Sequence, residues 1–235
     1  MSDIDLTEDV AVVTGGASGI GRKISLTLAE RGADIVVADL QAEPREGGEP
    51  THERIDAEFD GTGRYVECDV TEPSDLEAAV DAAEALGGVS VMVNNAGISR
   101  SQEFLEIDEA EYDQMMDINA KGVFFGAQAA ADRMIEADRE GSIVNLASIS
   151  GVTGRATGVH YCASKGAVRV MTYAMAAALG PHDIRANAVC PGLVESSMTK
   201  QDLGAFGGGK SAADTYAQTT PLRRVGQPQD IADAV

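Results

Sequence analysis

Basic residues are few. Eighteen Lys and Arg stand against 38 Asp and Glu, a net charge of −20. A surface of that sign repels phosphate backbones, which excludes nucleic acid as an expected partner. Lysine is scarce beside arginine, aspartate is abundant, and the acids are scattered rather than gathered in a tail. This composition resembles that of halophilic proteins, whose carboxylate-rich surfaces stay soluble in concentrated salt. Apolar runs of about 18 residues are also missing, so the sequence offers no membrane span. Residues 1–10 carry acids where a signal peptide needs a basic start and an apolar stretch. A cytoplasmic protein is expected. Cysteine is limited to Cys68, Cys162 and Cys190, an odd number far apart, which argues against a disulfide framework or a zinc site. Each is read as a small buried apolar side chain. His52, His160 and His182 show no metal spacing, so no metal is expected. His160 adjoins Tyr161, and a structural role is expected for it.

What the sequence does have is a 44% hydrophobic content over 235 residues, enough for the core of one large α/β domain. No internal repeat or interdomain linker appears, so residues 1–235 are read as a single domain. Short apolar runs alternate with longer helical stretches. Strands are predicted over 10–14, 34–39, 64–69, 89–94, 142–147 and 185–190, and helices over 20–31, 73–86, 108–135 and 161–179. Residues 41–61 read as loop with at most a short helix, and 204–209 as a mobile glycine-rich stretch. Strands alternating with helices imply a doubly wound parallel sheet of six to seven strands, helices on both faces, and a ligand outside the carboxyl ends of the strands. Thr14-Gly15, Asp39, Asp69, Asn94-Asn95, Ser148 and Pro191-Gly192 each follow a predicted strand, so all six fall on that one edge.

The first strand runs into Thr14-Gly15-Gly16-Ala17-Ser18-Gly19-Ile20-Gly21, which opens a helix. Glycines let a backbone turn sharply against a pyrophosphate, and a helix N-terminus offers free N–H groups and a positive dipole end. Gly15, Ser18, Gly19, Ile20 and Gly21 are therefore candidate cofactor residues. Asp39 ends the second strand about 20 residues later, where a carboxylate accepts from the adenosine ribose and repels a 2′-phosphate. With Leu40 rather than Arg next to it and the non-basic Ser18 in the turn, NAD is expected over NADP.

The glycine pattern, Asn94-Asn95-Ala96-Gly97, and Tyr161-x-x-x-Lys165 with Ser148 thirteen residues ahead of Tyr161 together resemble the short-chain dehydrogenase/reductase family. They are closer to its main branch than to its epimerase branch. The resemblance runs from about residue 9 to the last. It implies that Asp69 and Val70 contact the adenine, that Asn95, Ala96 and Gly97 support the sheet and line the adenosine side, and that Pro191, Gly192, Val194 and Ser196 hold the nicotinamide. Segment 195–221 would cover the substrate. It also implies a homo-oligomer, dimer or tetramer. Family members usually continue past 226–235 into a further strand, so an absent C-terminal strand is expected here.

Hydride transfer from an alcohol requires removal of the hydroxyl proton. A free tyrosine, with pKa about 10, is a poor base near neutrality, and a nearby cation favours its phenolate. Tyr161 and Lys165 are four apart on a predicted helix and share a face, so Lys165 is expected to lower the Tyr161 pKa. The resemblance adds a bond from Lys165 to the nicotinamide ribose. Ser148 can stabilise charge on the substrate oxygen, with Ser150 a neighbouring competitor. Asn119 matches the family's helix asparagine, implying a water that links Lys165 to solvent. The expected activity is an NAD-dependent dehydrogenase for a small alcohol, sugar or hydroxyacyl thioester. The alternatives are a 3-oxoacyl carrier-protein reductase and a non-catalytic NAD-binding sensor.

Overall fold

A computed structural model describes residues 4–202 and 212–235; the glycine-rich stretch 204–209 lies outside them. Six strands form one fully parallel sheet in the order β3-β2-β1-β4-β5-β6. They are β1 (Val10–Thr14), β2 (Asp34–Asp39), β3 (Gly63–Glu67), β4 (Val91–Asn94), β5 (Gly141–Leu146) and β6 (Ile184–Val189). The principal helices are α1 (Gly19–Ala29), α2 (Thr51–Glu58), α3 (Pro73–Glu84), α4 (Glu109–Met116), α5 (Gly122–Glu136), α6 (Ser150–Thr153), α7 (Val159–Leu179), α8 (Ala212–Thr219) and α9 (Pro228–Ala232).

Side chains alternate across each strand, which accounts for the two cores. Val10 and Val12 pack with Leu76 and Val80 of α3 and Ala127 and Met134 of α5. Ala11 and Val13 face the opposite way, onto Ile24 of α1, Ile55 of α2 and Ile231 of α9. A sheet covered on both faces needs strands that are apolar throughout, and β1 is buried at all five positions. Among the described residues, no helix is long and apolar enough to cross a membrane.

Three predicted elements differ in detail. The third strand ends at Glu67 rather than residue 69, because Asp69 turns away to accept hydrogen bonds from Thr71. The polar stretch 41–61 contains α2, whose Thr51 and Ile55 are buried. The single long helix expected over 108–135 is α4 and α5 joined by a π-helical turn, Asp117–Lys121. That wider turn interrupts the 3.6-residue register and carries Asn119 fully into the interior. An Asp108–Glu111 capping box starts α4. Cys68 is buried as expected, whereas Cys162 and Cys190 are half-buried. Burial pushes the Cys68 thiol up to about 12.

Polar groups at the sheet centre form a hydrogen-bonded chain that leaves Asn94 Oδ1 buried without a partner. Asn94 Nδ2 donates to Asn145 Oδ1 (2.9 Å), Asn145 Nδ2 to Thr172 Oγ1 (3.0 Å), and Thr172 Oγ1 to the Val168 carbonyl (2.7 Å). This chain fastens β4 to β5 and β5 to α7. Gly126 of α5 makes room for it, since a methyl group there would lie 2.3 Å from Asn94 Oδ1 and 3.0 Å from Met92 Cε. Gly126→Ala is therefore expected to displace the Asn94 amide and lower stability by about 1–3 kcal/mol. Urea unfolding reads the change as a lower midpoint at unchanged slope.

Candidate active site

The sheet reverses direction of winding between β1 and β4, and a cleft of about 960 Å³ opens at their carboxyl ends. The glycine turn forms its floor. Gly15 has φ +64°, and a Cβ there would lie 2.8 Å from Asn95 Nδ2; a Cβ on Gly21 would lie 2.0 Å from the Gly15 carbonyl. Only glycine fits at either position. Asn95 Nδ2 donates to the carbonyls of Thr14 (2.9 Å) and Gly15 (3.2 Å), while Thr14 Oγ1 accepts from the amides of Asn95 (3.0 Å) and Ala96 (3.1 Å).

The turn already holds an anion of the chain's own. Gly19 N–H at the start of α1 donates to Glu46 Oε1 at 2.9 Å, and Ser197 Oγ donates to Glu46 Oε2 at 3.0 Å. Ser18 Oγ accepts from the Arg45 amide at 2.8 Å. A carboxylate on the first free N–H of α1 demonstrates that this helix end receives negative charge, so a dinucleotide pyrophosphate fits the same donors. Gly19, Ile20, Asn95, Ala96 and Gly97 line the cleft.

At the β2 end, Asp39 accepts from the amides of Ala17 (3.0 Å) and Leu40 (2.8 Å). Burial raises its carboxyl above the ordinary range, and those two hydrogen bonds pull it back. Asp69 and Val70 also line the cleft. The Asp69 carboxylate is spent on Thr71, leaving this wall to offer mainly backbone and the Val70 side chain.

At the other end, β5 delivers Ser148 and α7 delivers Tyr161 and Lys165. Ser148 sits near the Tyr161 phenol and draws its pKa down, and its Oγ accepts from the Ser150 amide at 3.1 Å. Of the two competing serines, Ser148 meets the tyrosine and Ser150 holds it in place through its main chain. Lys165 is 5% exposed and donates to the Leu146 carbonyl at 2.7 Å. Asn119 closes on Ile98 from both sides: Oδ1 accepts from the Ile98 amide (2.8 Å) and Nδ2 donates to its carbonyl (2.9 Å) and toward Ser164 Oγ (3.1 Å). Its carboxamide thus clamps the loop after β4, a use that the expected water link to Lys165 did not include.

Pro191 and Gly192 follow β6. The Pro191 carbonyl accepts from the Ile149 amide at 3.0 Å, and the space in front of Gly192 is filled by the Tyr216 hydroxyl, 1.9 Å from where a Cβ would stand. Val194 pairs with Gly226. Thr199, buried, donates to the Val194 carbonyl (2.6 Å) and accepts from the Ser196 amide (2.9 Å).

The sequence reading did not include Glu46, which sits on the glycine turn, or the cleft-lining Tyr216 and Arg155. The Arg155 guanidinium lies over the Tyr161 ring, 4.7 Å from its centroid. Burial raises the Tyr161 phenol above its ordinary value, opposed by the Ser148 hydroxyl and then by the Arg155 charge. The cation expected to act on Tyr161 was Lys165; in the structure it is Arg155, because the Lys165 ammonium is turned onto Leu146. His160, next to Tyr161, is buried with both ring nitrogens unpaired, and burial lowers its pKa, which keeps the ring neutral.

Enclosure pushes the Lys165 ammonium down to about 8 from 10.5. The folded chain therefore holds this proton less tightly than the unfolded chain, so the cost is fully present below pH 8 and vanishes as pH rises past 10.5. Against Lys165→Met, the parent is expected to gain about 3 kcal/mol of relative stability across that window. Urea unfolding of both proteins at a series of pH values measures it; a difference that does not change with pH contradicts the enclosure.

The sequence matches the short chain dehydrogenase family over residues 9–204. It is 40% identical over 233 residues to L-2,3-butanediol dehydrogenase of Corynebacterium glutamicum, covering 96% of this chain and 89% of that protein. It is 36% identical over 232 residues to L-rhamnose 1-dehydrogenase (NAD(P)(+)) of Azotobacter vinelandii, covering 98% and 89%. The fold superposes on a short-chain type dehydrogenase/reductase from Mycobacterium marinum with a TM-score of 0.88 at 34% identity, covering 99% of this chain and 88% of that one. The chain thus belongs to the short chain dehydrogenase family.

Proposed function

We propose that this oxidoreductase moves a hydride between NAD(H) and a small alcohol or carbonyl substrate, with Tyr161 as general acid/base. The observation that carries the reading is the Ser148–Tyr161 pair, with Lys165 one turn further along α7, lining the same cleft as the glycine turn. Gly15, Ser18, Gly19, Ile20 and Gly21 would hold the pyrophosphate, and Pro191, Gly192, Val194 and Ser196 the nicotinamide end. A bound nicotinamide ring supplies the hydride acceptor or donor.

The chain's own residues do the proton work. Ser148 Oγ hydrogen-bonds the substrate oxygen and steadies charge developing there. Tyr161 Oη takes the hydroxyl proton in oxidation and returns it in reduction. Arg155 places positive charge against the Tyr161 ring, Lys165 reaches back to the Leu146 carbonyl, and Asn119 fixes the Ile98 loop. Because burial holds the Tyr161 phenol high, its phenolate is scarce near neutrality, so alcohol oxidation is expected to quicken as pH rises. Tyr161→Phe is expected to lower kcat by about 10²–10⁴-fold. Steady-state NAD⁺ reduction across a panel of alcohols and sugars checks both; equal rates in parent and variant remove Tyr161 from the role.

Asp39 supports NAD over NADP. Its carboxylate at the end of β2 would repel a 2′-phosphate, and Leu40 beside it offers no positive charge. Tighter binding of NADPH than NADH in a fluorescence titration would refute this preference. The Glu46 carboxylate on Gly19 must leave before the turn takes a pyrophosphate. Glu46→Gln is therefore expected to tighten NADH binding about two- to fivefold, read in the same titration. A homo-oligomer is supported by Tyr112, Phe124, Val170 and Tyr173, which leave large apolar surface exposed on α4, α5 and α7. The charge of −20 supports a cytoplasmic protein suited to concentrated salt.

A further inference from the structure

We infer that Arg155 sets the substrate class: its guanidinium receives a carboxylate carried close to the reacting carbinol, so that the substrates are small hydroxy acids and the corresponding oxo acids. The inference rests on the oxidoreductase reading above and names the substrate of that same site.

The charge distribution along the cleft comes first. Its acidic lining residues, Asp39 and Asp69, follow β2 and β3 at the adenosine end. At the Tyr161 end the lining includes Arg155, which meets Ser99 and the Tyr161 ring, and the hydroxyl residues Ser101, Thr153 and Tyr216 also line the cleft. No Asp or Glu lines this half among the described residues, although the chain carries 38 of them. A pocket for a neutral polyol has no need to exclude carboxylates; a pocket for an anion does.

The state of the Arg155 side chain comes second. It is half-buried and turned inward, with one nitrogen anchored: Nη2 donates to Ser99 Oγ at 3.1 Å and to the Arg100 carbonyl at 3.4 Å. The guanidinium carbon lies over the Tyr161 ring, 4.7 Å from its centroid. Nε is shut off from water with no acceptor, and Nη1 donates to no described residue. A half-buried cation with Nη1 to spare is matched by a carboxylate, which supplies an acceptor oxygen and the opposite charge. Lys165 does not compete for it, because its ammonium is committed to Leu146. The cation lies 4.7 Å from the centroid of the Tyr161 ring, which favours substrates whose carboxylate stands close to the carbinol.

The test uses the full-length protein with NAD⁺ and substrates paired by carbon skeleton: lactate against propane-1,2-diol, and 3-hydroxybutyrate against butane-1,3-diol. Assays run in about 1 M KCl, where a Debye length of about 3 Å removes the long-range repulsion of anions by the acidic surface. The parent is expected to favour the hydroxy acid of at least one pair by tenfold or more in kcat/KM. In Arg155→Gln that ratio is expected to fall at least about thirtyfold, chiefly through KM for the acid, with part restored in Arg155→Lys. Isobutyrate, lactate with a methyl group in place of the hydroxyl, gives a readout that needs no turnover: with NAD⁺ present it is expected to raise the Tm of the parent and not of Arg155→Gln. A parent that prefers the diols, or an unchanged acid-to-diol ratio in a folded Arg155→Gln, overturns the inference and leaves the oxidoreductase reading intact. Absence of turnover for every alcohol and sugar tried, or equal rates with Tyr161→Phe, overturns that reading itself and the inference with it.

Discussion

Thr14 and Asn95 are joined across the divide between β1 and β4 by a two-way exchange. The threonine hydroxyl takes the amides of Asn95 and Ala96, and the asparagine amide group returns bonds to the carbonyls of Thr14 and Gly15. Past the Val13–Val93 pair the two strands stop pairing, and the backbone beyond it needs other partners. Here the vacancy is closed by side chains on one edge, leaving the opposite side open as a cleft. The glycine turn has no conformational latitude beneath Asn95, so the geometry of the anion-receiving helix end is set by a contact that itself touches no ligand. The Asn94–Asn145–Thr172 chain extends the same bracing to β5 and α7, the elements that carry Ser148 and Tyr161.

The reacting end is built on an opposition of forces. Burial pushes the Tyr161 phenol up and the Lys165 ammonium down, each away from the charged form. Ser148 and Arg155 act against that on the tyrosine. A dry site strengthens every electrostatic interaction in it, and the cost falls on folding rather than on the reaction. The buried core of α5 and the full enclosure of β1 supply stability from which such a site can be carried.

Much of this was readable from the sequence where the information is local. The glycine turn, Asp39 at the end of β2 and the four-residue spacing from Tyr161 to Lys165 depend on short-range geometry, and the structure places them together on one edge of the sheet. What escaped the reading depends on tertiary placement. Glu46 sits in a polar stretch whose path over the turn follows from α2 docking through Ile55 and Thr51. Arg155 lies between two glycines in a loop, and no periodicity tells that its side chain turns inward. The π turn at Asp117–Lys121 leaves the apolar pattern on either side undisturbed, so a single long helix was the natural expectation. The cation acting on Tyr161 was misassigned for a related reason: spacing gives a shared helix face, but only packing shows that the Lys165 ammonium reaches back to β5.

Glu46 spans parts of the chain that are remote in sequence. One of its oxygens is held by Gly19 in the glycine turn and the other by Ser197 in the segment after β6. A single carboxylate cannot satisfy a new set of partners at one end while keeping both old ones, so the two contacts form one equilibrium. By thermodynamic linkage, whatever strengthens the hold of the Ser197 segment on Glu46 weakens the turn's affinity for any other anion, and an anion bound at the turn loosens that segment by the same free energy. Communication between the two ends of the cleft thus requires no movement of the sheet, only the exchange of one acid for another at the head of α1.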